Sequence, residues 1–133
     1  MGTPYFLAID VGTSRTAAAT ARSAPDGTLV AAPLPLGRNA DSTPTTVFVS
    51  DSGLLFGDAA ESRGTAQPER LVREFKRRIG DDVPIVAADR RFSPQDLFAL
   101  VVGWVIGTAV EREGQHPAGI AVSVPVTWGE YRT

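Results

Sequence analysis

Cysteine is absent from this 133-residue chain, and histidine occurs once, at His116. The first absence removes disulfides, thiol nucleophiles and cysteine-ligated metals. The second leaves a zinc site without its ligands, so His116, beside Pro117, reads as a loop residue. Long apolar runs are missing too. The most apolar stretch covers residues 97–110 between Asp96 and Glu111, too short for a bilayer and suited to a buried helix. The N-terminus carries neither the basic region nor the apolar core of a secretory leader, so the cytoplasm is the expected compartment. Nor does one sign of charge dominate: 13 Lys and Arg against 15 Asp and Glu give a formal net charge of −2. That balance supplies no general attraction to nucleic acid or to an anionic membrane, and neither is expected as a partner.

What the chain does contain is ordinary for one globular domain: 43% hydrophobic and 21% charged residues,. Residues 5–9 form an apolar run ending at Asp10, which reads as a buried strand. Gly12 permits a tight turn, after which residues 15–22 read as a second strand. Pro25-Asp26-Gly27 is a turn, proline presetting one angle and glycine taking the positive one. Residues 28–36 follow as a third strand, its end pushed to a sheet edge by Pro33 and Pro35. The opening is therefore a β-meander, and residues 37–46 form a polar connector. Residues 47–49 and 54–56 flank Asp51-Ser52-Gly53 as a hairpin. Asp58, with Glu61 three residues on, is positioned to cap a short helix ending near Gly64.

A second helix is expected over residues 68–80, opened by Pro68-Glu69 and stopped by Gly80. Leu71, Val72, Phe75 and Ile79 would fall on one stripe of about 100°. Ser93 as cap with Pro94 in the first turn starts a third helix, running to about Glu113 and stopping at Gly114. Residues 118–124 read as a buried strand ended by Pro125.

The chemistry concentrates at Asp10-Val11-Gly12-Thr13-Ser14. A carboxylate at a strand end, followed by glycine and hydroxyl residues in a tight turn, is a recurrent way to hold phosphate. Glycine lets the backbone approach, successive N–H groups form an anion-binding concavity, and the Thr13 and Ser14 hydroxyls add donors. Asp10 would repel phosphate unless a cation stood between them. It therefore belongs on hydrated Mg²⁺, which accepts one or two carboxylates together with waters and phosphate oxygens. The two common glycine-rich phosphate fingerprints, G-K-[ST] and G-x-G-x-x-G, are both absent. The same five residues also occur in plain hairpins. The buried strand before them and the strand after them favour the phosphate reading.

Ala8-Ile9-Asp10-Val11-Gly12-Thr13-Ser14 resembles the first phosphate loop of the actin-like ATPase superfamily. Four further segments, in order, resemble its seventy-kilodalton heat-shock (DnaK-like) chaperone branch. Ser42-Thr43-Pro44-Thr45 is similar to that branch's T-P-S segment, and Leu55-Phe56-Gly57-Asp58-Ala59-Ala60 to its V-G-x-x-A segment. Phe75-Lys76-Arg77-Arg78-Ile79-Gly80 resembles a K-R-x-I-G helix end. Val122-Ser123-Val124-Pro125-Val126-Thr127-Trp128 resembles a T-V-P-A-Y-F segment.

The resemblance implies an α/β fold: one lobe fragment of an actin-like, ribonuclease H-like ATPase with a mixed twisted sheet, helices and a reduced small-lobe insertion. Residues of about 1–40 and 115–133 would supply the large-lobe sheet, and about 41–114 the insertion and helices. It implies ATP or ADP with Mg²⁺ as cofactors. Asp10 would stand at the magnesium shell through water, and Gly12, Thr13 and Ser14 at the β- and γ-phosphates. Lys76 would reach the γ-phosphate and attacking water, and Pro125 would couple nucleotide state to a peptide-binding domain. By pattern alone Lys76 borders the apolar stripe on one side as Arg78 does on the other, which equally describes a solvated basic face.

Arg15 departs from the family's usual Asn or Tyr and adds charge beside the phosphates. Thr133 stands where an arginine is usual. The expected function is the N-terminal portion of an ATP-hydrolysing DnaK-like chaperone, not catalytically competent alone. Its unfolded-polypeptide and co-chaperone partners would be met through regions beyond this chain. Residues 1–133 by themselves are expected to self-associate through an apolar patch near the last strand and Trp128. A sugar kinase of the same superfamily and a non-hydrolysing scaffold module stand as alternatives.

Overall fold

The computed structural model describes residues 3–38 and 40–123, which form an α/β fold with a mixed sheet and two α-helices. Strands β1 (Phe6–Val11), β2 (Arg15–Ser23) and β3 (Leu29–Leu34) make the expected antiparallel meander. The turn between β2 and β3 is held by Asp26, whose carboxylate accepts from the Thr28 hydroxyl (2.6 Å) and amide (3.0 Å). Those bonds hold its carboxyl below the ordinary carboxylate range. Pro33 lies in β3, at the sheet edge where a missing N–H is tolerated,. The last strand described, β10 (Gly119–Val122), pairs parallel with β1 and makes the sheet mixed.

One long helix covers one face of this sheet. Helix α2 (Pro94–Glu113) starts as its sequence directs: the Ser93 hydroxyl accepts from the Asp96 amide at 3.0 Å, and Pro94 occupies the first turn,. Gly114 ends it with a left-handed φ of 78°,. Leu97, Val101, Val105 and Ala109 recur every fourth residue and are buried, giving the helix one apolar stripe,. They share a core with Tyr5, Leu7, Ile9 and Val11, the inward residues of β1 and its approach,. Phe56 stacks on Trp104 at 5.5 Å between ring centroids, tying the second layer to the same helix.

The opposite face of the sheet is open and built of small apolar residues. Ala8, Ala17, Ala19 and Ala121 line a shallow depression of about 500 Å³ there. Phe6 stands beside it, 53% exposed. Apolar surface left in water favours association. Residues 1–133 on their own are accordingly expected to self-associate, read as a mass above the monomer by light scattering. Trp128, named above as part of that patch, lies outside the described residues.

The middle of the chain holds two smaller sheets. Strands β5 (Thr46–Val49) and β6 (Leu54–Phe56) form the expected hairpin, and β7 (Leu71–Arg73) pairs with the other edge of β5. Strands β8 (Ile85–Ala87) and β9 (Arg90–Phe92) form a separate hairpin. Its turn places Ala88 and Asp89 at positive φ, 52° and 63°.

Two expectations fail in this region. The helix expected over residues 68–80 is instead a 3₁₀ turn (Pro68–Arg70), strand β7, and a second 3₁₀ turn (Phe75–Arg78). Ladder bonds from β5 claim residues 71–73, and Glu74 adopts a left-handed conformation (φ 53°) that breaks any helix. Asp58 does not cap helix α1 (Gly57–Ala66), whose N-cap position is Phe56 without a side-chain bond. The Asp58 carboxylate accepts the Arg38 amide at 2.8 Å instead, while the Thr43 hydroxyl accepts the Asp58 amide at 3.1 Å. The helix also runs two residues past Gly64.

Candidate phosphate-binding site

The β1–β2 connection is closed by one cross-bond, Gly12 N–H to the Arg15 carbonyl at 2.8 Å. A Cβ built on Gly12 would stand 2.6 Å from that same carbonyl oxygen, so the turn admits only glycine there. The requirement is close backbone approach: Gly12 is not among the glycines at positive φ,. Between the two ends of this bond, Thr13 and Ser14 form the tip. Among the described residues their amides and hydroxyls have no partner within the protein, while the Ser14 carbonyl accepts the Thr45 amide at 2.9 Å. The tip therefore presents unspent donors on a tethered backbone, the arrangement an anion needs.

A strap over residues 42–46 holds this hairpin. Its two-residue strand β4 (Thr43–Pro44) pairs with Arg15 and Thr16 at the start of β2. Beneath it, the buried Thr16 and Thr45 hydroxyls bond each other at 2.8 Å. Thr43 also reaches the first turn of α1, and the Thr46 hydroxyl donates to the Gly57 carbonyl at 3.2 Å. The Ser-Thr-Pro-Thr segment thus works as a brace joining hairpin, sheet and helix.

Arg15 belongs to that brace. Its Nε donates to the Ser42 hydroxyl at 2.7 Å and a terminal nitrogen donates to the Ser42 carbonyl at 2.9 Å. Two donors of the guanidinium expected beside the phosphates thus go to the strap,. Asp10 sits at the end of β1, exposed, with Oδ1 accepting from the Ser123 hydroxyl at 2.7 Å. It borders the depression on the open sheet face. Thr13 and Ser14 line a different cavity of about 150 Å³, toward α1 and β7.

Lys76 lies in the second 3₁₀ turn, half-buried, and makes no ion pair among the described residues. It is not part of the cavity wall at Thr13 and Ser14. Arg73 and Glu61 are, joined by an ion pair of 3.1 Å. Sequence reading singled out Glu61 only as a helix-start residue and passed over Arg73. Strand register alone brings Arg73 opposite Thr46, beside the strap. Pro125 lies outside the described residues.

Comparison with known proteins points one way. Over 126 residues, 94% of its length, the chain is 31% identical to the chaperone protein DnaK of Elusimicrobium minutum. It is 30% identical over 99 residues, 74% of the chain, to DnaK of Thermotoga petrophila. With DnaK of Thermosipho melanesiensis the identity is 29% over 127 residues. The chain is distantly similar to DnaK chaperones. It spans only about a fifth of the length of these relatives, 16% to 21%. No family model matches it. Among the described residues no helix is long and apolar enough to cross a membrane.

Proposed function

We propose that the hairpin at Asp10–Ser14 binds the phosphates of ATP or ADP with Mg²⁺, and that the chain is part of the nucleotide-binding domain of a DnaK-like chaperone. The observation that carries this reading is the Thr13–Ser14 tip, whose donors are unspent on a backbone that admits only glycine at position 12. The distant similarity to DnaK supports it over most of the chain. Gly12, Thr13 and Ser14 would face the β- and γ-phosphates.

The residues also suit magnesium. Asp10 is exposed at the strand end, and its second carboxylate oxygen has no protein partner among the described residues. Those residues include no cluster of three or more acidic or histidine ligands. Asp10 would therefore hold the ion through water, leaving phosphate oxygens to complete the shell, as magnesium tolerates. The ion would neutralise charge on the phosphates. Lys76, with no ion pair among the described residues committing its charge, is the residue proposed to act on the γ-phosphate during hydrolysis, and Pro125 the residue proposed for coupling. Arg15 is best read as positioning the loop through Ser42.

The test uses the full-length protein: calorimetric titration with ATP and Mg²⁺, then phosphate release with and without unfolded peptide. Saturable ATP binding with peptide-stimulated release is the expected result. ADP formed on adding a sugar, with the phosphoryl group carried on the sugar and not released, would move the chain to a sugar kinase, and binding without turnover to a non-hydrolysing scaffold. No ATP binding at all would sink the reading.

A further inference from the structure

We infer that Arg73 is a second cation that grips the terminal phosphate at this site, in addition to Lys76, and that Glu61 holds it in reserve when no nucleotide is bound. The inference rests on the nucleotide reading above and deepens it. It starts from the 150 Å³ cavity, whose wall brings Thr13 and Ser14 together with Thr46, Glu61, Arg73 and Glu74. That volume is far above the roughly 10–15 Å³ that one water needs. Arg73 is the cationic residue on the wall that the hairpin tip shares.

The resting contact of Arg73 is a weak one. A terminal nitrogen meets Glu61 Oε1 at 3.1 Å, and the side chain is 60% exposed. A single-point pair this open to solvent contributes little. The other Glu61 oxygen is buried with no hydrogen-bond partner among the described residues, so the carboxylate is only half satisfied,. Guanidinium has five donors in a planar fork that matches phosphate oxygens two at a time, a better partner than one carboxylate oxygen. The second carboxylate on the wall, Glu74, has its own cation, Arg77, at 3.8 Å. Glu61 is therefore the main competitor for Arg73. The backbone of Arg73 is fixed by its register opposite Thr46, so only the side chain has to swing.

Calorimetry on the full-length protein with Mg²⁺, comparing ADP with a non-hydrolysable ATP analogue, tests this. Arg73→Ala should lower the preference for the triphosphate by roughly tenfold or more, the scale of one lost hydrogen bond to a charged group. Arg73→Lys should recover part of it, because the charge returns without the fork. Glu61→Gln should tighten triphosphate binding, since the competitor loses its charge. A merely structural ion pair makes the opposite forecast: Glu61→Gln would weaken binding or leave it unchanged, and that result overturns the assignment. If Arg73→Ala does not fold, Glu61→Gln decides alone. Failure of the unmodified protein to bind either nucleotide would instead overturn the nucleotide reading, and the Arg73 assignment with it.

Discussion

Gly12→Val is expected to abolish ATP binding by the full-length protein while leaving its circular dichroism largely unchanged. The reason is geometric and local. The first side-chain carbon alone would sit 2.6 Å from the Arg15 carbonyl oxygen, inside any contact a carbon makes. Backbone cannot rotate out of the way as a flexible side chain would, so the cross-bond from Gly12 to Arg15 must open. Arg15 is itself fastened to Ser42 and paired with Pro44, which limits how far that carbonyl retreats. The displacement therefore falls on Thr13 and Ser14, the tip between them, and moves their donors. The packed core lies elsewhere, between the inward side chains of β1 and the stripe of α2. Calorimetric titration checks the result, and an affinity equal to that of the unmodified protein would remove the hairpin from the site.

The contrast between β2 and β7 shows what local sequence can reveal here. The meander, the hairpin of β5 and β6 and the ends of α2 announce themselves through residues adjacent in the chain. Pro25-Asp26-Gly27, Asp51-Ser52-Gly53, Ser93-Pro94 and Gly114 each fix an angle or supply a cap on the spot. Residues 68–80 carry an apolar spacing that fits a helix, and Val72 and Phe75 are indeed buried. Yet β5 is an exposed edge without β7, and its ladder bonds outweigh the weak local preference,. The turn between β8 and β9 uses Ala88 and Asp89 at positive φ, where glycine or asparagine would have signalled it,.

The site divides along the same line. Gly12, Thr13 and Ser14 come together because the loop is contiguous in sequence, while Asp10 borders the depression on the open sheet face. The Arg15–Ser42 bonds span 27 positions, and the cavity gathers residues from the hairpin, the strap, α1 and the segment after β5. Arg15 is expected beside the phosphates from the family position it occupies, and its bonds to Ser42 in the strap carry no signal in the local sequence. Arg73 gives no signal in a helical wheel, because it does not lie on a helix.

Lys76→Ala is expected to leave ATP binding within a few-fold and to cut hydrolysis by roughly 10²–10³, about 2.7–4 kcal/mol, by analogy with losing one positioned transition-state donor. Negative charge shifts among the phosphate oxygens as the γ-phosphoryl group transfers, and a mobile point charge lowers the barrier by following it. Lys76 suits that work for two reasons visible in the structure. It makes no ion pair among the described residues, in contrast to Arg77 and Arg78, which meet Glu74 and Asp81. It also stands in a 3₁₀ turn directly after buried Phe75, which anchors its backbone while the side chain stays half-buried. Arg73 and Lys76 should then separate by experiment: loss of the first changes triphosphate affinity, and loss of the second changes turnover. Single-turnover hydrolysis on both variants distinguishes these roles. Hydrolysis by Lys76→Ala at the unmodified rate would return Lys76 to the solvated basic surface and leave Arg73 as the cation this segment contributes to the site.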